Sequence, residues 1–143
     1  MPRKSSDPLP ETPWITTEVR VRYAETDQMG MVCYANYLIW FEVGRAEFCR
    51  QRGLVYRDFE RQNQAYLAVA QAECRYHTPA RYDDVLEIRT RIGEFRKRTV
   101  RFQYEIVRKE PETLVASGST LHVVLDAQSR PRSFPPAFRS YLL

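Results

Sequence analysis

No stretch of the chain approaches the roughly 20 consecutive apolar residues that cross a bilayer as a helix. The first residues, Met1-Pro2-Arg3-Lys4-Ser5-Ser6-Asp7-Pro8, lack the apolar core of a secretory signal. From these two absences we expect a cytoplasmic protein with no stable membrane association. Cysteine is sparse: Cys33, Cys49 and Cys74 are odd in number, and none stands in a C-x-x-C pair. That excludes a disulfide scaffold and a zinc-type spacing. Histidine is scarcer still. His77 and His122 fall in separate strand-like segments, so no metal site is expected, and both read as polar positions on half-exposed strands. No residue cluster calls for an organic cofactor.

What is present is a globular composition. The 143 residues, 43% hydrophobic and 28% charged, suit one domain. A net charge of +4 suits an anionic partner: a nucleotide-bearing ligand, nucleic acid or a membrane surface. The basic residues scatter along strands without a recognised binding motif, which argues against nucleic acid.

Residues 1–13 are rich in Pro, Ser and charge and read as a flexible lead-in to a single domain over 14–143. From Ile15 to Tyr23 the pattern alternates, with Val19, Val21 and Tyr23 on one face, as in a half-buried strand. Tyr34 to Arg52 reads as a helix, because Tyr37, Trp40, Phe41, Gly44 and Phe48 form one apolar stripe at helical spacing. Gly44 on that stripe points to a close backbone approach, and Gly53 to a C-terminal stop. Leu54 to Gln62 reads as one or two helical turns. The period then changes to two. Strands are expected over Ala65–His77, Asp84–Glu94, Lys97–Arg108 and Thr113–Asp126. Val100, Phe102, Tyr104 and Ile106 share a face of the third, and Leu121, Val123 and Leu125 share a face of the fourth. Short connections favour antiparallel neighbours, so these four strands are expected to form a meander. One long apolar helix against one antiparallel sheet gives an α+β fold. The edge it leaves uncovered suggests pairing with a second copy.

Between the first strand and the helix lies the most chemically suggestive stretch. Asp27 sits in a turn that Gly30 lets close tightly. The turn feeds the N-terminus of the helix, where backbone N–H groups lack intrahelical partners and the dipole is positive. An ionised carboxylate beside an oxyanion-binding helix end supplies two of the parts acyl transfer needs. One such donor is worth roughly 3–4 kcal/mol of transition-state stabilisation.

The motif Tyr23-x-Glu25-Thr26-Asp27-x-x-Gly30-x-Val32-x-Tyr34-x-Asn36-Tyr37, followed by Phe41-Glu42-x-x-Arg45, resembles the hot-dog-fold acyl-CoA thioesterases of the 4-hydroxybenzoyl-CoA thioesterase and YbgC-like group. Tyr76-x-x-Pro79-Ala80-Arg81-x-Asp83-Asp84-x-Leu86 fits as well, as do Phe102-x-Tyr104-x-Ile106, Ala116-x-Gly118-x-Thr120 and Arg130-Pro131. The resemblance implies a hot-dog fold, one long central helix wrapped by a five-stranded antiparallel sheet. It also implies a homodimer, or a homotetramer built as a dimer of dimers, with active sites at the dimer interface. In such enzymes the acid matching Asp27 is catalytic, and the backbone N–H matching Tyr34 polarises the thioester carbonyl. Part of the YbgC-like group carries His where this chain has Tyr34, so an imidazole at that position is absent here.

The implied reaction is hydrolysis of an acyl-CoA with an aliphatic or aromatic acyl group. Asp27 attacks the carbonyl or activates a water. Gly30 and Val32 shape the substrate side of the turn, and Asn36 and Tyr37 orient the loop or line the acyl pocket. Arg96, Lys97, Arg98 and Thr99, in a hairpin, and Arg130 are expected to hold the phosphates of coenzyme A. Glu25 reads as a surface or hydrogen-bonding residue at the strand end, and Glu42 and Arg45 can pair along the helix. Two other readings compete. A hot-dog dehydratase needs an active-site His, and neither His77 nor His122 is expected near the helix start. A non-catalytic acyl-CoA or acyl-carrier-protein binding module would leave Asp27 structural.

Overall fold

The structure, a computed structural model, describes residues 12–142. The strands are β1 (Ile15–Arg20), β2 (Tyr66–Tyr76), β3 (Val85–Phe95), β4 (Thr99–Arg108) and β5 (Thr113–Leu125). The helices are α1 (Ala35–Gln51), α2 (Tyr56–Asn63) and α3 (Pro136–Leu142). The lead-in expected over 1–13 lies, for residues 1–11, outside the described residues. Thr12 is already fastened to the sheet: its N–H donates to the Ile92 carbonyl at 3.1 Å, and its hydroxyl accepts from the Ile92 N–H at 2.9 Å.

The helix α1 buries Tyr37, Trp40, Phe41, Gly44, Phe48 and Cys49, the stripe expected from spacing with Cys49 added beside Phe48. Phe41 stacks on Tyr104 at 4.3 Å between ring centres, and Phe48 meets Phe102 edge-on at 5.8 Å. Each large apolar side chain buried this way contributes roughly 1.5–3 kcal/mol relative to exposure. Gly53, at φ +84°, ends the helix, and the Leu54 N–H closes it by donating to the Cys49 carbonyl at 2.9 Å. Gly44 seats it: a β-carbon there would stand 2.4 Å from Thr90 Oγ1 and 2.7 Å from Ile88 Cγ2.

All five strands are antiparallel in one sheet, ordered β1-β3-β4-β5-β2. One helix in the grip of such a sheet is the hot-dog arrangement. Register shifts at Val69/Gln71, Ile92/Glu94 and Ile106/Val107 mark bulges, which sharpen the curl of the sheet around α1. The expected meander holds only for β3, β4 and β5. β2 pairs with β5 instead, and residues 77–84 cross the ends of β5 and β4 to reach β3. Bonds at that end hold the crossing: Thr78 N–H to the Val115 carbonyl at 3.1 Å, and Arg108 Nη1 to the Pro79 carbonyl at 3.4 Å. β2 is thereby left as a long free edge with Tyr66, Val69 and Tyr76 exposed.

Other expectations are corrected. Tyr23 is not on the buried face of a strand; β1 stops at Arg20, and Tyr23 lies 78% exposed in a single 3-10 turn. In β5 the extra residue Val115, in a bulge, sets the phase, so Thr120, His122 and Val124 face the core while Leu121, Val123 and Leu125 are half-buried. His122 is therefore not half-exposed but 1% exposed. α3, absent from the sequence reading, packs Phe138 against Phe59, Phe95 and Phe134. Among the described residues no helix is long and apolar enough to cross a membrane.

Arg45 does not meet Glu42. Its Nη1 donates to the Tyr104 hydroxyl at 3.3 Å, Tyr104 meets Thr120 Oγ1 at 2.6 Å, and Thr120 meets His122 Nε2 at 2.8 Å. Burial, and then the Arg45 charge, push His122 down to about 3.

Two outcomes follow. Gly44→Ala gains helix propensity of about 1 kcal/mol, yet should lower stability in urea by about 1–3 kcal/mol because the new methyl collides with β3; an unchanged or raised midpoint contradicts the seat described. His122 has a folded pKa below its unfolded one, so protons favour the unfolded chain. Stability linked to it is full above 6.5 and lost as pH falls toward about 3. Against His122→Gln, the wild type should show an extra loss on the order of a few kcal/mol across that window, and parallel pH profiles contradict it.

Candidate active site

The turn before α1 is built from backbone bonds. The Asp27 N–H donates to the Met31 carbonyl at 2.8 Å, and the Gly30 N–H donates back to the Asp27 carbonyl at 3.1 Å. Gly30 sits at φ +76°, and a β-carbon there would meet nothing within 4 Å. The glycine is required by backbone angle and not by space. The Asp27 carboxylate is held by one oxygen: Oδ1 accepts the N–H groups of Met29 at 2.8 Å and Met31 at 3.2 Å. Oδ2 has no partner among the described residues, and the side chain is exposed.

The turn is tied to the β2–β3 crossing. The Val32 N–H donates to the Ala80 carbonyl at 2.8 Å, and Met31 bridges Arg81. Glu25, 5% exposed, accepts the Arg22 N–H at 2.8 Å, and its carbonyl takes the Cys33 N–H at 2.8 Å. Asn36 donates from Nδ2 to the carbonyls of Glu25 and Cys33 at 3.1 and 3.3 Å, so it orients the loop. Tyr37, 3% exposed, accepts the Ala80 N–H on its hydroxyl at 3.3 Å, and burial raises its pKa. The Tyr76 hydroxyl donates to the Tyr34 carbonyl at 3.0 Å, pinning the helix start to β2. The N–H groups of Tyr34 and Ala35 have no partner among the described residues, as expected of a helix N-terminus.

These parts open on one cavity of about 550 Å3, lined by Asp27, Val32, Tyr34 and Tyr37 together with Met31, Cys33 and the β2 end from Tyr76 to Pro79. Gly30 and Asn36 are not among its lining residues. His77 corrects the expectation that neither histidine comes near the helix start: it lines this cavity, with Nε2 against Ser117 Oγ at 2.9 Å. The Tyr76-to-Pro79 stretch was visible as a motif. Its place beside Asp27 was not, since only the crossing over the sheet end brings it there.

Arg96, Lys97, Arg98, Thr99 and Arg130 are not brought to this cavity within one chain. The turn is tied to Ala80 and Arg81, just ahead of the start of β3 at Val85, whereas the hairpin follows its end at Phe95, about 33 Å along an 11-residue strand. Arg130 lies at that same far end, bonded through its N–H to Asp126 just beyond β5. Arg96 is engaged by Glu94. A wider groove of about 810 Å3 crosses the outer face of the sheet. Within it Arg91 donates to Gln103 at 2.8 Å and Arg101 to Ser119 at 3.1 Å. Among the described residues no three His, Cys, Asp or Glu side chains gather where they could hold a metal ion.

The sequence profile of the Thioesterase-like superfamily matches residues 21–142. The chain belongs to that superfamily. This thioesterase-like chain is 34% identical over 118 residues to the acyl-CoA thioester hydrolase YbgC of Escherichia coli O157:H7, covering 82% of this chain and 87% of the relative. It is 31% identical over 119 residues to the acyl-CoA thioesterase YbgC of Haemophilus influenzae, covering 82% and 85%. Among solved structures, it is similar to DHNA-CoA thioesterase from Staphylococcus aureus, with a TM-score of 0.83, 28% identity, and 90% and 88% of the two chains covered. A mutant of 4-hydroxybenzoyl-CoA thioesterase, complexed with 4-hydroxybenzoyl-CoA, superposes with a TM-score of 0.85 over 92% of this chain and 100% of that one; at 21% identity this likeness is one of fold.

Proposed function

We propose that this thioesterase-like chain hydrolyses acyl-CoA thioesters to free acid and coenzyme A, with Asp27 as nucleophile or general base and the helix N-terminal N–H groups at Tyr34 as the oxyanion hole. The observation that carries this reading is the shared cavity: Asp27, its carboxylate anchored through one oxygen, and Tyr34, its backbone N–H without a partner among the described residues, both line it. The thioesterase names of the relatives support the reaction class.

In the nucleophilic route Asp27 Oδ2 adds to the thioester carbonyl carbon, and the C–O bond forms as the carbonyl becomes an oxyanion. Collapse breaks the C–S bond, expels coenzyme A as a thiolate and leaves a mixed anhydride that water hydrolyses. In the base route the same oxygen takes a proton from water, and the hydroxide adds instead. Both place negative charge on the carbonyl oxygen, where the N–H of Tyr34 and the positive end of α1 stabilise it. No water-derived proton needs an imidazole at position 34 in either route.

The carrier phosphates belong to the basic cluster in this reading. That cluster and the cavity sit at opposite ends of one chain. Antiparallel pairing of two free β2 edges carries the basic end of one copy, with Arg96, Lys97, Arg98, Thr99 and Arg130, toward the Asp27 cavity of the other. A homodimer or a dimer of dimers is therefore part of the proposal.

His77 in the cavity is the one observation that favours a dehydratase. The test covers both readings. Purified protein is offered acyl-CoAs with short, medium, long and aromatic acyl groups while free thiol is followed. We expect hydrolysis, a loss of at least about a hundredfold in Asp27→Asn, and less than about a tenfold loss in His77→Ala. Thiol release unaffected by Asp27→Asn removes its role. No release from any acyl-CoA favours a binding module, and loss of an acyl hydroxyl as water without thiol release favours the dehydratase.

A further inference from the structure

Two walls of the Asp27 cavity are joined by one bond. Tyr34 lines the cavity from the start of α1 and Tyr76 from the end of β2. The Tyr76 hydroxyl donates to the Tyr34 carbonyl at 3.0 Å, a contact 42 residues apart in sequence. We propose that Tyr76 is a positioning residue for hydrolysis: it takes no part in the bond changes, but holds Tyr34 in the orientation that presents its N–H to the thioester oxygen. This inference rests on the reading of the Tyr34 N–H as the oxyanion donor.

The argument starts from how little else holds Tyr34. Its side chain is 71% exposed, so core packing does not fix its backbone. The carbonyls on either side of it do. A peptide unit is planar, so a bond that holds its C=O also sets the direction of its N–H. The Tyr34 N–H shares a peptide with the Cys33 carbonyl. That carbonyl accepts the Asn36 backbone N–H at 3.0 Å and Asn36 Nδ2 at 3.3 Å. Asn36 is two residues on and moves with the helix start. The following peptide carries the Tyr34 carbonyl and is held from β2. Between the two planes lie only the φ and ψ of Tyr34, −52° and −34°. Tyr76 therefore relates the donor to the strand across the cavity, which Asn36 does not.

Tyr76 is itself firmly seated. Its backbone pairs with Ala116 of β5. Its ring meets Tyr37 edge-on at 5.0 Å, and Tyr37, 3% exposed, meets Trp40 edge-on at 5.4 Å. The direction of the bond is unambiguous, because a carbonyl only accepts. Desolvation, and then the neighbouring Cys74, push the Tyr76 pKa up to about 12, so the hydrogen stays in place at neutral pH. That single hydrogen is spent on Tyr34. Tyr76 is thus not the donor to the oxyanion and not the acid for the leaving thiolate; its effect passes through Tyr34. Donors stabilise developing charge best when they are already aimed, and a misplacement of about 1 Å can cost about a hundredfold in rate.

The test uses Tyr76→Phe, which keeps the ring and its contact with Tyr37 and removes only the hydroxyl. We expect kcat to fall about tenfold with KM within about threefold, and the loss to be the same from about pH 6 to 9. A spectroscopic arm separates positioning from a general structural defect. An acyl-CoA that the wild type hydrolyses, carbon-13 labelled at the thioester carbonyl, is bound to Asp27→Asn and to Asp27→Asn with Tyr76→Phe, and its carbonyl stretch is followed by isotope-edited infrared difference spectroscopy. We expect the stretch to move to lower frequency on binding Asp27→Asn, and to move less in the double variant. A shift that is present and equal in both overturns the role of Tyr76 and leaves the oxyanion reading standing. No shift in Asp27→Asn itself removes that reading, and this inference with it. An unchanged kcat, or a loss confined to KM, makes Tyr76 a wall of the cavity and also overturns the proposal.

Discussion

The seat of α1 on β3 is the constraint from which the rest of the molecule follows. Gly44 lets the helix approach until Thr90 and Ile88 occupy the space a side chain would need. That approach lets Phe41 stack on Tyr104 and Phe48 meet Phe102, so the aromatic stripe fills the hollow of the curled sheet. It also fixes where the helix begins. With the axis pinned at its middle, the N-terminus emerges beside the end of β2, where Tyr76 holds the Tyr34 carbonyl. The Asp27 turn has no core of its own and borrows its position from this frame, through Ala80 and Arg81.

In the reaction we propose, the site's chemistry comes from what is left unpaired. Hydrogen bonding is nearly complete around the turn: Glu25, Asn36, Tyr37 and Ala80 are all engaged. Against that background Asp27 and Tyr34 line one cavity, and the Asp27 Oδ2 and the Tyr34 N–H are without a partner among the described residues. Rigid surroundings with a few free groups are what preorganised catalysis requires, because little reorganisation remains to be done when charge develops.

Much of this was legible in the sequence, and the failures share a cause. Spacing located α1 and its buried stripe because helical periodicity is a property of adjacent turns. The Asp27 turn was legible because its glycine and acid are local. Alternation located the strands but could not order them. Short connections argued for neighbours, yet residues 77–84 cross two strand ends in a strongly curled sheet, and this one crossing moved β2 to the edge and His77 into the cavity. His122 was misplaced because Leu121, Val123 and Leu125 make the more apolar face of β5, while the bulge at Val115 turns Thr120 and His122 inward. The basic hairpin was recognised as basic, but its distance from Asp27 depends on the length of β3 and not on any motif.

The most direct measurement is a crystal structure of the Asp27→Asn variant with an acyl-CoA whose thioester it cannot cleave. The account predicts the carbonyl oxygen within hydrogen-bond distance of the Tyr34 N–H, and the carbonyl carbon facing the side chain at position 27. An acyl group bound away from the helix start, or a carbonyl pointing from Tyr34 into solvent, would contradict it.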